Sequence, residues 1–252
     1  MLPLTIQQSH SDYCAEQVRT YDYYRYFAAT FAPANVRRGL AALYAFHLEI
    51  ATVRERVSEE LLGQMRLQWW RDTIGEIYDG IVRNHAVVSE IAWGIETFDL
   101  PRKSFEEMIN ARMFDLHDEP PKDSDALVAY ATATSGQVAV LATHICGQAK
   151  FASNAKTIGM VWGLAGLLRA LPYHAAQRRV YLPKDILRAS NLSLDDLIDR
   201  RDPSAMETTI SAMIGLIERS ILKDKHLPRP VRPGLAYAAI VAPYLKRLQR
   251  AQ

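Results

Sequence analysis

An all-α fold is what this sequence predicts, on three observations. Alternating apolar segments joined by Asn-Gly or Asp-Gly turns are missing, so no sheet is signalled. Apolar residues recur instead at helical spacing in one segment after another. Residues that start and stop helices bracket several of these segments.

With 252 residues, 49% of them hydrophobic and 23% charged, the chain can bury a sizeable core and does not read as disordered. Thirty Lys+Arg against 28 Asp+Glu leave a net charge of +2, so no general attraction to nucleic acid is expected. Two cysteines, Cys14 and Cys146, cannot make a disulfide scaffold and are expected to be buried thiols in a reducing compartment. The opening MLPLTIQQSH has no basic stretch followed by an apolar one and no Arg, so it reads as neither a secretory signal nor a mitochondrial transit peptide. The longest apolar run, Ile158 to Leu168, falls well short of the ~20 residues a bilayer span needs. The expected location is cytoplasmic, at most peripheral to the inner membrane. No repeat or linker divides the chain, so one domain over residues 1–252, of roughly eight or more helices, is expected.

The elements follow in order. Between Pro33 and Val57 the apolar positions Val36, Leu40, Leu43, Tyr44, Phe46, Leu48, Ile50 and Val53 cover nearly the whole circumference. That pattern predicts a central buried helix, with Asn35 as its N-cap. The next helix starts after Ser58 with Glu59 and Glu60 in its first turn and ends at Gly80. Its inner stripe reads Leu62, Met65, Trp69, Thr73, Ile74 and Ile77, with Trp69 in the core and Trp70 flanking it. A helix from about 125 to 146 is weakened at Ser135-Gly136, and another runs from about 154 to a stop at Pro172. Asp202-Pro203-Ser204 starts a helix that buries Met206, Ile210, Met213, Leu216, Ile217 and Ile221. Residues 226–234, with three prolines, read as a loop, and a last helix is expected to bend at Pro243.

Two stretches carry a resemblance. Leu43 to Glu55 reads LYAFHLEIATVRE, and Gly163 to Pro183 reads GLAGLLRALPYHAAQRRVYLP. Together with Leu67-Gln68-Trp69-Trp70-Arg71, Phe114-Asp115-Leu116, Tyr130 and Ser135-Gly136, in that order along the chain, they resemble the squalene/phytoene synthase family of head-to-head prenyl transferases. The resemblance implies an isoprenoid-synthase-like helical bundle around a central cavity. In that family two helices each present aspartates at i and i+4, on one face. The facing carboxylates hold Mg²⁺ ions that neutralise a diphosphate leaving group.

The sequence departs from this pattern where the chemistry resides. The first acidic motif falls on Ala51, Thr52 and Glu55, and the second on Ala170 and His174, with Gly166 where an Asn precedes it. Alanine offers no oxygen, and imidazole is a poor ligand for a hard cation. The resemblance therefore supports the fold and speaks against the activity, with no cofactor expected. The variants AFHLEIATVRE, MRLQWWRD and LRALPYH are similar to a divergent branch that includes an assembly factor of mitochondrial respiratory complex I. That similarity implies complex I subunits or assembly factors as partners. Two rival readings stay open: a working prenyl transferase using Mg²⁺ at an altered site, and a module that carries an isoprenoid lipid in the former substrate cavity.

Each candidate residue also has a plainer reading. Glu49 and Glu55 are a residual ligand site or the partners of Arg54, Arg66 or Arg169. Arg169, Arg178, Arg179 and Lys184 form an anion pocket or a solvated face. Tyr181 is expected as a packed aromatic. His47 and His174 with Glu55 are a transition-metal trio or hydrogen-bonded core residues. Ser193 with Asp195, Asp196 and Asp199 mimics a prenyl-diphosphate motif but suits an N-cap followed by first-turn acids. Trp69-Trp70 packs in the core or marks a partner or membrane contact.

Overall fold

The computed structural model describes residues 4–117, 119–199, 201–221 and 227–251, with side chains from residue 8 onward. Among these residues every regular element is helical. The order begins with α1 (Leu4–Tyr21), α2 (Tyr23–Ala29), α3 (Ala34–Ala51), α4 (Glu60–Tyr78), α5 (Ala86–Phe98) and α6 (Arg102–Ala111). It continues with α7 (Ser124–Ala131), α8 (Gln137–Ile145), α9 (Ala152–Arg169), α10 (Leu171–Ala176), α11 (Lys184–Ala189) and α12 (Leu194–Asp199). The chain then forms α13 (Pro203–Ser220), α14 (Arg232–Leu235) and α15 (Val241–Arg250).

α3 is the central helix its apolar circumference predicts. Leu40, Leu43, Tyr44, Phe46 and Ile50 lose essentially all exposure, against α1, α5 and α8. Each such side chain contributes about 2 kcal/mol by burial. Its N-cap is Pro33, without a side-chain cap, so Asn35 lies inside the first turn and the expectation of an Asn35 cap is corrected. Proline there has no N–H to leave unpaired and fixes φ ready for the helix.

α4 starts at Glu60 and is followed by Gly80 at φ +84°, as its sequence predicts. Its buried face is Gly63, Leu67, Trp70, Thr73, Ile74 and Ile77. Leu62, Met65 and Trp69 are exposed, so the lower half of the predicted stripe is turned by about 100°, one residue of a helix. Trp70, not Trp69, is the core residue, edge-on to Phe46 at 5.3 Å. Gly63 accounts for the choice of face, because α4 packs so closely there that a Cβ would meet Leu116 Cδ2 at 2.4 Å.

The stretch Ser124–Ile145 is the one described segment long and apolar enough to cross a membrane, yet 72% of its apolar window is buried within the fold. Its weak point at Ser135-Gly136 is a π-helical turn, Thr132–Gly136, between α7 and α8. α9 lies tight against this turn. A Cβ on Gly159 would stand 2.3 Å from Ser135 O and 2.6 Å from Ala139 Cβ, so only glycine permits the approach. α13 starts at an Asp202 cap that accepts from Ala205 N at 2.9 Å, and buries Ala205, Thr209, Met213, Ile214 and Ile217. Met206, Ile210, Leu216 and Ile221 are half-buried at its flanks. In the proline-rich stretch, residues 229–235 form a 3₁₀ turn and α14, while residue 226 lies outside the described residues. Pro243 sits in the first turn of α15, where it removes no helical hydrogen bond, so the expected bend is corrected to a helix start.

A basic cavity at the candidate functional site

α2, α3, the turn after α6, the π-turn and α9 line a half-open cavity of about 210 Å³. Of the predicted motif positions, only Gly166 is part of its wall. His47 on α3 and Gly166 on α9 line the cavity, and Ala51 and Ala170 lie one turn further along each helix. α9 ends at Arg169, so the second motif straddles a helix break, though His174 N still donates to Ala170 O at 2.9 Å.

The cavity is furnished with cations. Arg25 is 2% exposed, donates from Nη1 to Asp22 Oδ2 at 2.8 Å, and is ringed by Tyr237, Tyr44 and Trp162 with centroids 5.0, 5.5 and 6.0 Å from Cζ. Burial opposes its charge, but Asp22, Tyr237 and Tyr44 hold its pKa above the usual arginine range. Its Nε and Nη2 are shut off from solvent, and the Tyr237 hydroxyl lies against the guanidinium, which opposes the upward push of burial on that phenol's pKa. Arg112 donates to Asp115 Oδ2 at 3.0 Å and to the Tyr130 hydroxyl at 2.8 Å, which leaves its buried Nε without a partner. The Tyr130 and Tyr181 hydroxyls both donate to Asp115 Oδ1, at 2.6 and 2.9 Å. Burial pushes both phenols upward, so they stay neutral donors. His47 is buried with Nδ1 unpaired, and burial, then Arg25 and Arg112, push its pKa well down. Arg169 lies across Tyr24 and Trp162 at 5.4 and 5.6 Å.

The remaining candidates are distributed as follows. Glu49 pairs with Arg56 at 2.8 Å, a partner outside the three arginines named from sequence. Glu55 is exposed on the 3₁₀ turn Arg54–Arg56. His174 packs its ring 4.8 Å from Tyr181, outside the cavity lining, and burial, then Arg179, lower its pKa. The structure thus does not gather His47, His174 and Glu55, and among the described residues no three His, Cys, Asp or Glu side chains are placed to share a metal. Arg178 reaches Asp195 at 3.6 Å and Lys184 reaches Glu119 at 2.9 Å, both at the surface, so the four cations form no single cluster around the cavity. Ser193 caps α12, its Oγ accepting from Asp196 N at 3.1 Å, and Asp195 and Asp196 occupy the first turn. Cys14 is buried with its thiol pKa raised, and burial raises that of Cys146 to about 11. Sequence reasoning missed Arg25 and Arg112.

The Mg²⁺ that this fold implies does not fit the donor set present. Ala51 and Ala170 bring no side-chain oxygen, the Thr52 hydroxyl donates to Leu48 O at 2.8 Å, and His174 brings nitrogen. Two of the chain's most buried cations stand beside that position instead, and a divalent cation would be repelled by them.

A family model described as squalene/phytoene synthase matches residues 18–252. Among curated proteins, the chain is 28% identical over 247 residues to NADH dehydrogenase (ubiquinone) complex I, assembly factor 6 of Mus musculus, covering 94% of this chain and 73% of that one. It is 23% identical over 248 residues to the phytoene synthase of Cereibacter sphaeroides, covering 93% and 70%. Among solved structures, a dehydrosqualene synthase in complex with ligand superposes with a TM-score of 0.83 at 18% identity, over 99% of this chain and 89% of that one. That likeness bears out the all-α isoprenoid-synthase-like bundle. Fold, motif order and family match agree: the chain belongs to the squalene/phytoene synthase family.

Proposed function

We propose that this chain is a non-catalytic member of its family that assists assembly of respiratory complex I. One observation carries the first half. Where a prenyl transferase needs clustered carboxylates, this cavity holds Arg25, Arg112 and His47, and the motif positions are Ala51, Thr52, Glu55, Ala170 and His174, of which Glu55 alone is a carboxylate and is exposed. Without a hard cation to neutralise it, diphosphate is a poor leaving group. The second half is supported by relatives, named as complex I assembly factors, that align along most of the chain. Its partners are accordingly complex I subunits or other assembly factors. The test is rotenone-sensitive NADH oxidation in membranes of a strain lacking this chain. A loss restored by the wild-type chain is expected, and normal complex I activity in the deletion strain would refute the proposal.

A further inference from the structure

We propose that the aromatic ridge of α2, with the arginine-bearing groove beside it, seats this chain on an anionic phospholipid bilayer, independently of the assembly role. The ridge is a continuous ladder of rings. From buried Trp162 it passes to Tyr24 at 5.9 Å, then to Tyr23 at 6.5 Å, Phe27 at 6.1 Å and Phe31 at 5.4 Å. Tyr23, Phe27 and Tyr24 fall within about 100° of one another around α2, so they share one face. The four rings beyond Trp162 are exposed, Phe31 by 73%. Single exposed apolar side chains are ordinary on a protein surface, but a contiguous run of this kind marks a contact. Tyr and Phe rings are stabilised where headgroups meet acyl chains, since the ring is apolar and the phenol stays wet.

Charge selects the kind of surface. An apolar groove of about 320 Å³ lies at the foot of the ladder, walled by Tyr24, Ala165, Ile240 and Pro243. Arg169 and Arg247 line it at exposed positions, and no Asp or Glu is among its lining residues. Arg250 follows Arg247 at i+3, on the same side of α15. α14 and α15 pack against α2 and α9, and both belong to the stretch 227–251. That stretch holds Arg229, Arg232, Lys246, Arg247 and Arg250 without one acid, in a chain whose net charge is only +2. α2 has no acid either, and Asp22 before it is paired with Arg25. Insertion of apolar rings and diffuse positive charge are the two terms that hold a protein on an anionic bilayer. A second exposed apolar stripe, Leu61, Leu62 and Met65 on α4, follows Glu59 and Glu60, whose carboxylates such a bilayer repels.

The test is co-sedimentation of the full chain with vesicles of equimolar phosphatidylcholine and phosphatidylglycerol, and with vesicles of phosphatidylcholine alone. The mixed vesicles should bind the chain at least about tenfold more tightly, at about fivefold per cation at the surface. Raised salt should weaken that binding, because exposed charges are screened. Phe27→Ser/Phe31→Ser should weaken it at least about tenfold by removing the inserted rings. Arg169→Gln/Arg247→Gln should weaken it about 25-fold on mixed vesicles. Met65→Ser, on the α4 stripe, should leave it unchanged. Absence of binding to mixed vesicles overturns the proposal and leaves the ridge to a protein partner. Equal binding to both vesicles, salt-insensitive binding, or a loss in Met65→Ser as large as in the phenylalanine variant also overturns it. So does wild-type affinity in a Phe27→Ser/Phe31→Ser chain that circular dichroism shows to be folded. If that variant does not fold, Arg169→Gln/Arg247→Gln decides alone, and wild-type affinity in it overturns the proposal.

Discussion

Asp115→Asn is the sharpest probe of the polar layer beneath the cavity. Asp115 is 6% exposed, and its carboxylate receives Arg112, Tyr130 and Tyr181. Asparagine keeps the shape and can still accept from the two phenols. It removes the charge that compensates Arg112, whose side chain is 12% exposed. Stranding one member of a buried pair costs about 3–5 kcal/mol. The retained hydrogen bonds place the expected loss at the lower end, about 3 kcal/mol. For a chain of this size that lowers Tm by about 6–12 °C. Urea denaturation followed by far-UV circular dichroism measures it. The diagnostic variant is the double mutant. With Arg112→Met added, the stranded charge is gone, and about 2 kcal/mol should return. Tyr181→Phe, which removes one hydrogen bond and no charge, should cost about 1 kcal/mol. A loss below about 1 kcal/mol in Asp115→Asn, or a double mutant as unstable as the sum of the singles, refutes the charge-compensation reasoning.

Two further predictions concern packing and pH. Gly159→Ala should cost about 2 kcal/mol, because its Cβ would stand 2.3 Å from Ser135 O and force α9 off the π-turn. Gly166→Ala, with open space around its Cβ, should gain about 0.5–1 kcal/mol from helix propensity, so thermal melts of the two variants should move in opposite directions. Burial keeps His47 neutral in the folded chain, whereas in the unfolded chain it takes up a proton below about pH 6.5. The unfolded state then binds more protons, so stability falls as pH falls. His47→Gln should flatten that slope by up to about 1.4 kcal/mol per pH unit between pH 6.5 and 5, measured by denaturation at stepped pH.

The sequence makes the helical architecture readable because local signals and burial agree there. The apolar circumference of α3 and the Gly80 terminus of α4 are such cases. α4 also shows where this fails. Leu62, Met65 and Trp69 compete with Leu67 and Trp70 for the inner face, and the close contact allowed by Gly63 decides, a tertiary fact with no local trace. In the same way Glu49 pairs with Arg56, an arginine that the motif alignment does not single out. The degenerate acidic positions could be read directly, and so could Asp115 and Tyr130 as members of one pattern. The cations that replace them could not. Arg25 lies within an aromatic run, Tyr23 to Phe27, and Arg112 just before Met113 and Phe114, and neither belongs to a motif that would single it out. Only the meeting of α2, α3, the π-turn and α9 buries them together.

Loss of prenyl-transfer chemistry is the claim on which the account stands. Purified chain incubated with radiolabelled farnesyl or geranylgeranyl diphosphate and either Mg²⁺ or Mn²⁺ tests it directly. No condensed hydrocarbon product should form at any metal concentration. Product that appears with the wild type and collapses in Glu55→Gln would contradict it.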